Sequence, residues 1–450
     1  MKFSDYQVLM PLSCSAAKTK TIYIPVRVKF NLCFLIAILW AGVSIYLADL
    51  WISGLALHVP YFVAALAVYS IAVIPGFMYT FTAASLLFDD RPCMKPLPGY
   101  PGLSVLVPCY NEVGNIAATI RSIRDNEYEG ELEIIVIDDG STDGTSQLIE
   151  KVPGITVIKN EHAGKAAALN AGMDKALHQF IVSIDSDTLL RKNALENITR
   201  RLLSDPPNTA AVAGAVMARN SRKNFLTRMQ EWDYFHGIGA IKRMQSLFQG
   251  TLVAQGAFSI YRKSALKEMK GWRSVVGEDI VLTWAFLSAG YRTGFAENAV
   301  SFTNVPETIA AFYQQRKRWA RGMIESFKLN PGIMFSLRFS TLFIFWNITF
   351  PLLDAMYLFV LVPGIILALF GFYYIAGALT LLLIPQTLIM NYLMYSIQKN
   401  MFDSQGLHVR RNYTGFLSYI ALYQLLMAPA SLAGYFAEGL SLNKKWGSRV

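Results

Sequence analysis

From Phe30 to Leu50 the chain runs through about 21 almost uninterrupted apolar residues. A helix of that length, rising about 1.5 Å per residue, crosses a hydrocarbon core of about 30 Å. A second apolar run extends from Pro60 to Phe88, with Pro75-Gly76 as an expected kink, and others follow at Phe339–Phe370, Gly371–Ile397 and Thr414–Leu440. The polar part of the chain lies between these two sets. A signal peptide would show a shorter apolar core and a small-residue cleavage site; the length of the first run and the span behind it identify an uncleaved anchor. The ends also account for a hydrophobic content of 53% and a mean hydropathy of +0.34.

Charge orients the chain. Lys18, Lys20, Arg27 and Lys29 precede the first span and are expected on the cytosolic side. Two spans then return the chain there, so the polar block from Leu103 to Asn330 is expected in the cytosol. Arg410 and Arg411 suit a cytosolic loop, as do Lys444, Lys445 and Arg449 at the C-terminal end. Three C-terminal crossings would leave that end outside. Either Phe339–Phe350 is a separate crossing or interfacial helix, or the stretch containing Pro429 does not simply span. The expected organisation is a cytosolic segment 1–29, two transmembrane helices in 30–90, a cytosolic domain 101–330, interfacial and transmembrane helices in 331–440 and a polar tail 441–450.

A formal charge of +10 raises nucleic acid as a partner, but no compact basic helix with interleaved aromatics is present. Cytosolic flanks and an anionic substrate explain the surplus. Cys14, Cys33, Cys93 and Cys109 show no paired spacing and no histidine cluster, which argues against a disulfide framework or zinc site.

Within the polar block, short apolar runs alternate with helical segments. Leu103–Pro108, Glu133–Ile137, Ile155–Lys159 and Phe180–Ile184 read as buried strands, with a helix over Ile116–Asn126 that Asn111 and Glu112 are placed to cap. This alternation predicts an α/β fold with a doubly wound, Rossmann-like sheet, in which ligands bind beyond the carboxyl ends of the strands. The acidic motifs fall there.

Asp185-Ser186-Asp187 ends one strand and places two carboxylates on a turn. Hard cations such as Mg2+ or Mn2+ take oxygen ligands and leave positions for substrate phosphate. Asp138-Asp139-Gly140-Ser141 ends another strand; it is either a capped turn or a contact to the polar edge of a nucleoside. Tyr110 can stack on a base or simply pack. Lys165, in the small-residue stretch His162–Ala166, can contact a nucleotide or be solvated. Glu278-Asp279 precedes a helix, where a carboxylate can cap or can act as a base on an acceptor hydroxyl. One base without a second nucleophilic carboxylate fits single displacement with inversion, by analogy with glycosidases. Gln315, Arg318 and Trp319 share one helical face, where a guanidinium can bind a diphosphate and an indole a sugar. An amphipathic interfacial helix would use the same residues.

These motifs, in this order, resemble the processive, inverting glycosyltransferases of family 2, which include cellulose, chitin, hyaluronan and bacterial poly-β-1,6-N-acetylglucosamine synthases. The resemblance covers roughly Leu103 to Ser326 and the flanking membrane segments, and the plan of two N-terminal spans is most similar to the last group. It implies a cytosolic GT-A domain between transmembrane helices of a bacterial inner membrane. It implies uridine binding at Asp138 and Asp139, a metal and diphosphate at Asp185 and Asp187, a base at Asp279, and an acceptor seat over Trp319 in the Gln315, Arg318, Trp319 motif. The family generally carries threonine where this chain has Gly277. The implied partners are a UDP-sugar donor, most of all UDP-N-acetylglucosamine, a growing polysaccharide and membrane lipids; a small accessory membrane subunit is left open. Trp346, Asn347, Asp354 and Asn391 are candidates for lining an export path. A transferase of single sugars to a lipid carrier and an inactive partner of an export complex are the competing readings.

Overall fold

The computed structural model describes residues 24–89, 94, 97, 99–377, 380, 383–403, 406–409 and 411–442. Cys14, Lys18, Lys20, Cys93, Arg410, Lys444, Lys445 and Arg449, on which expectations of side or pairing rest, lie outside the described residues.

Strand Leu103–Cys109 (β1) is buried along its whole length, as a near-continuous apolar run requires when both faces of a sheet are covered. Alternation sorts its side chains. Leu103, Val105 and Val107 pack with Ile116, Ile120 and Ile123 and with Ile198 and Leu202. Leu106 faces the opposite layer, with Ala168, Leu169, Leu282 and Phe286. Helices Ile116–Arg124 and Ala194–Ser204 thus cover one face, and Lys165–Lys175 and Glu278–Ser288 the other.

The other strands are Leu132–Asp138 (β2), Thr156–Lys159 (β3), Phe180–Ile184 (β4), Leu189–Leu190 (β5), Thr209–Ala218 (β6), Phe258–Arg262 (β7) and Arg292–Thr303 (β8), in the order β3-β2-β1-β4-β7-β6-β8-β5. The stretch β3-β2-β1-β4 is parallel, as the alternation of strands and helices predicts. Beyond β4, past the strands read from the sequence, the sheet becomes mixed: β7 runs antiparallel to both β4 and β6, while β6 and β8 are parallel. The chain between β6 and β7 is not a simple crossover. Helical segments Phe225–Asp233, Tyr234–Ile241 and Lys242–Leu247 bring it back at the same, carboxyl end of the sheet, which is why β7 runs antiparallel.

Register carries this topology into the site. Cys109 lies opposite Asp138, so Tyr110 and Asp139 leave the sheet side by side. Ile184 lies opposite Phe258 on the antiparallel strand, which sets the loop before β7 against Asp185.

Four helices among the described residues are long and apolar enough to cross a membrane: Val26–Leu55, Tyr61–Leu87, Ser340–Leu369 and Tyr413–Gly439. Side chains such as Leu39, Leu47 and Leu50 stay exposed, leaving an apolar surface larger than a water-soluble protein usually carries. Gly371–Ile397 yields helix Leu383–Asp403, which is not one of the four. The irregularity expected at Pro75-Gly76 sits just upstream, as a π-helical turn over Tyr69–Val73, because proline lacks an N–H and its ring crowds the preceding turn.

Candidate active site

The carboxyl ends of β1, β2 and β4, the loop before β7, the start of helix Glu278–Ser288 and helix Ile309–Leu329 enclose one cleft of about 4090 Å³. Tyr110, Asn111, Glu112, Asp139, Lys165, Asp185, Asp187, Glu278, Asp279, Gln315, Arg318 and Trp319 line it. Asp138 does not. It is buried, and its Oδ1 accepts from the Ser141 N–H at 3.0 Å, closing its own turn.

At one end the polar side chains mostly serve each other. Asp139 accepts from the Ala163 and Gly164 N–H groups at 3.0 and 2.8 Å, and His162 Nδ1 lies 2.9 Å from its Oδ2. Its carboxylate thereby fixes the loop before Lys165. The Tyr110 ring stacks on His162 at 4.2 Å. Asn111, at φ 54°, donates its N–H to Ser141 Oγ and accepts from Thr142, and the Glu112 N–H donates to Thr145 Oγ1. These two residues clasp the loops after β1 and β2 together. The position before helix Ile116–Arg124, where they were expected to cap, belongs to Asn115.

The centre of the cleft is charged. Lys165 Nζ lies 2.5 Å from Asp185 Oδ1 and 3.3 Å from Glu278 Oε1. Burial alone would lower the Lys165 ammonium, but Asp185 and Glu278 hold it above the ordinary lysine range. Asp187 accepts from Thr303 Oγ1 at 3.2 Å. On the far side, Asp279 Oδ2 accepts from the Gly256 N–H at 3.2 Å and Oδ1 from the Ile280 N–H at 2.7 Å. The loop before β7 thus joins the two acidic motifs, because the Ala257 carbonyl in turn accepts from the Asp185 N–H.

Helix Ile309–Leu329 presents Gln315, Arg318 and Trp319 to the cleft and buries Phe312, Arg316, Ala320 and Met323 behind them, the division that a period of 3.6 residues produces. Arg316 is buried, paired with Asp233 at 2.8 Å, and its guanidinium lies 4.0 Å from the Trp319 ring. This cation–π contact supports one face of the indole. Trp319 keeps 44% of its surface exposed.

Residues 104–270 match the family described as glycosyl transferase family 2. This stretch of the chain is similar to that family. The chain is 34% identical over 226 residues to the poly-beta-1,6-N-acetyl-D-glucosamine synthase of Staphylococcus aureus, and 34% identical over 230 residues to that of Staphylococcus epidermidis. Each match covers 49% of this chain and 54% of the relative, so the chain spans about half the length of the curated relatives it matches. Mannosyltransferase PcManGT from Pyrobaculum calidifontis, solved with GDP-Man and Mn2+, superimposes with a TM-score of 0.52 at 19% identity, covering 89% of this chain and 99% of that one. The chain therefore has a mixed α/β, GT-A-like core, flanked at both ends by apolar helices.

Glu278-Asp279 and the Gln315–Trp319 helix lie beyond the matched residues. What ties them to each other is a close approach of backbone. A Cβ on Gly277 would lie 2.6 Å from Gly322 Cα, and the Gly277 N–H donates to Glu325 at 3.0 Å. The departure from the family's threonine at this position is therefore matched by a glycine opposite it. Gly277→Thr is expected to separate the Asp279 turn from the Trp319 helix and reduce turnover by about 100-fold. Turnover rates of the wild-type and variant enzymes check this, and an unchanged rate would contradict it.

The acidic pair fits a divalent cation in part. Among the described residues no group of three His, Cys, Asp or Glu side chains could close round a metal ion. Asp185 and Asp187 supply hard oxygen donors and would leave the remaining positions to phosphate and water, an arrangement suited to Mg2+ or Mn2+.

Four neighbours of the site escaped sequence reasoning. Arg316 was visible inside the motif but not as the support of Trp319. Tyr234, 6.5 Å from Trp319 between ring centroids, lay in an unremarked aromatic run. Gln255, whose Nε2 donates to the Gly214 carbonyl at 2.5 Å, sits in a loop that carries no motif. Lys242 had no local signal, being one lysine of a basic chain. Of the residues named for an export path, none lines the cleft; Asp354 accepts instead from Gln424 Nε2 at 2.7 Å and the Tyr435 hydroxyl at 3.1 Å, across two apolar helices.

Proposed function

We propose that this chain is a membrane-embedded, processive, inverting glycosyltransferase that polymerises a sugar from a UDP-sugar. The favoured donor is UDP-N-acetylglucosamine, the favoured product poly-β-1,6-N-acetylglucosamine, which the membrane helices help to export. The observation that carries the reading is the single cleft holding Lys165, Asp185, Asp187, Asp279, Arg318 and the exposed Trp319. The names of the staphylococcal relatives support the choice of sugar and linkage.

In this reading the unit over about 101–330 faces the cytosol, and the four apolar helices cross the membrane. An even number of crossings returns the C-terminal end to the side of the N-terminal one, which removes the conflict raised by three C-terminal spans.

The donor's nucleoside lies toward Tyr110 and the Asp139 loop, and its diphosphate between Lys165 and Arg318. Lys165 keeps its charge because two carboxylates face it, so it can receive the negative charge of the leaving group. The acceptor sugar rests on the open face of Trp319. Asp279, oriented by the Gly256 N–H, takes the proton from the acceptor hydroxyl as its oxygen bonds to the anomeric carbon and the bond to UDP breaks. Attack from the face opposite the leaving group inverts that carbon. A divalent cation held by Asp185 and Asp187 would neutralise charge on the departing diphosphate.

Incorporation assays with UDP-N-acetylglucosamine and GDP-mannose test the donor, with the uridine donor expected to be used at least about 100-fold more efficiently. Equal use would overturn that assignment. Chelation with EDTA is expected to lower turnover by about 100-fold, with Mn2+ or Mg2+ restoring it; full activity in EDTA would remove the cation from the mechanism.

A further inference from the structure

Lys242 is a buried cation lining the cleft, 8% exposed, with one hydrogen bond, from Nζ to the Val253 carbonyl at 2.9 Å. Among the described residues no carboxylate forms an ion pair with it. Arg243, next along the helix, is taken by Asp89 and Glu297. The charge that acts on Lys242 through space is Asp279, opposing the burial that pushes its ammonium down to about 7. An ammonium held in this way costs free energy unless something else requires it.

What it holds is the loop before β7. The Val253 carbonyl binds Lys242, and three residues on the Gly256 N–H binds Asp279 Oδ2. We infer that Lys242 is a positioning residue for Asp279: through the Val253 carbonyl it anchors the loop whose Gly256 N–H grips that carboxylate. The inference rests on the reading of Asp279 as the base.

The test uses the full-length enzyme in nanodiscs with UDP-N-acetylglucosamine as donor, comparing wild type, Lys242→Met, Lys242→Arg and Asp279→Asn. Lys242→Met is expected to lower kcat about 10- to 100-fold with the donor KM within about twofold. Because it removes a buried, unpaired charge, its unfolding midpoint should rise, by about 2 °C. Lys242→Arg should recover most of the rate. An unaltered kcat in Lys242→Met would overturn the proposal. So would a loss of rate accompanied by a lower unfolding midpoint and not relieved by arginine, since that pattern marks a structural lysine. Full activity in Asp279→Asn would instead overturn the base assignment, whatever the Lys242 variants do.

Discussion

Asp279→Asn is expected to lower kcat by about 10³-fold or more while leaving the Kd for UDP within about twofold. The amide oxygen of asparagine can still accept from the Gly256 N–H, which holds Asp279 Oδ2 at 3.2 Å, so the loop stays gripped while only the contact of the Ile280 N–H to Oδ1 is given up. What is lost is the ability to take a proton as the acceptor oxygen attacks, and a positioned base contributes about 10²- to 10⁴-fold. Because that interaction develops only toward the transition state, the loss falls on kcat. Asp187→Asn is the comparison, since the proposed mechanism puts the donor diphosphate beside Asp187, which accepts from Thr303. Single-turnover rates and UDP titrations separate the two variants. Equal loss of UDP affinity in both would falsify the assignment of Asp279 as base.

Trp319→Ala is expected to shorten the product about tenfold while donor hydrolysis by water stays within about threefold of wild type. The reasoning is geometric. One face of the indole lies on the Arg316 guanidinium, 4.0 Å away and tied to Asp233, so that face is already covered. The open face is where an acceptor sugar can rest, and an aromatic contact of about 1–1.5 kcal/mol corresponds to roughly tenfold in occupancy. Hydrolysis needs no acceptor sugar and should be spared. Trp319→Phe keeps a ring over Arg316 and should recover most of the length. Product sizing beside a UDP-release assay reads both effects, and equal loss of the two activities in Trp319→Ala would make the tryptophan purely structural.

The parallel half of the sheet was legible because buried parallel strands are written as unbroken apolar runs. β1, β2 and β4 could be read within a residue of their ends, and with them the acidic turns they carry. The antiparallel β7 was not legible, since period and propensity say nothing of direction. Yet it is β7 that brings Gly256 and Ala257 between Asp185 and Asp279. Motif spacing placed Gln315, Arg318 and Trp319 on one face, because a helix has a fixed period.

Contacts between distant segments were hidden. Asp138 and Asp139 look alike in sequence, but one closes a turn while the other binds the His162–Gly164 loop. Gly277 appeared as a departure from the family; only Gly322, 45 residues on and against it in space, explains it. Lys242 is the extreme case, since its environment is built by elements with no sequence link to it.

The central claim is that one cleft makes a polymer. Membranes containing the full-length chain, supplied with radiolabelled UDP-N-acetylglucosamine and a divalent cation, test it most directly when the product is sized and then digested with a β-1,6-specific hexosaminidase. The expected product is a high polymer that the hexosaminidase degrades. A single labelled, lipid-extractable species would contradict it, and would make the transferase one that adds one sugar to a lipid carrier.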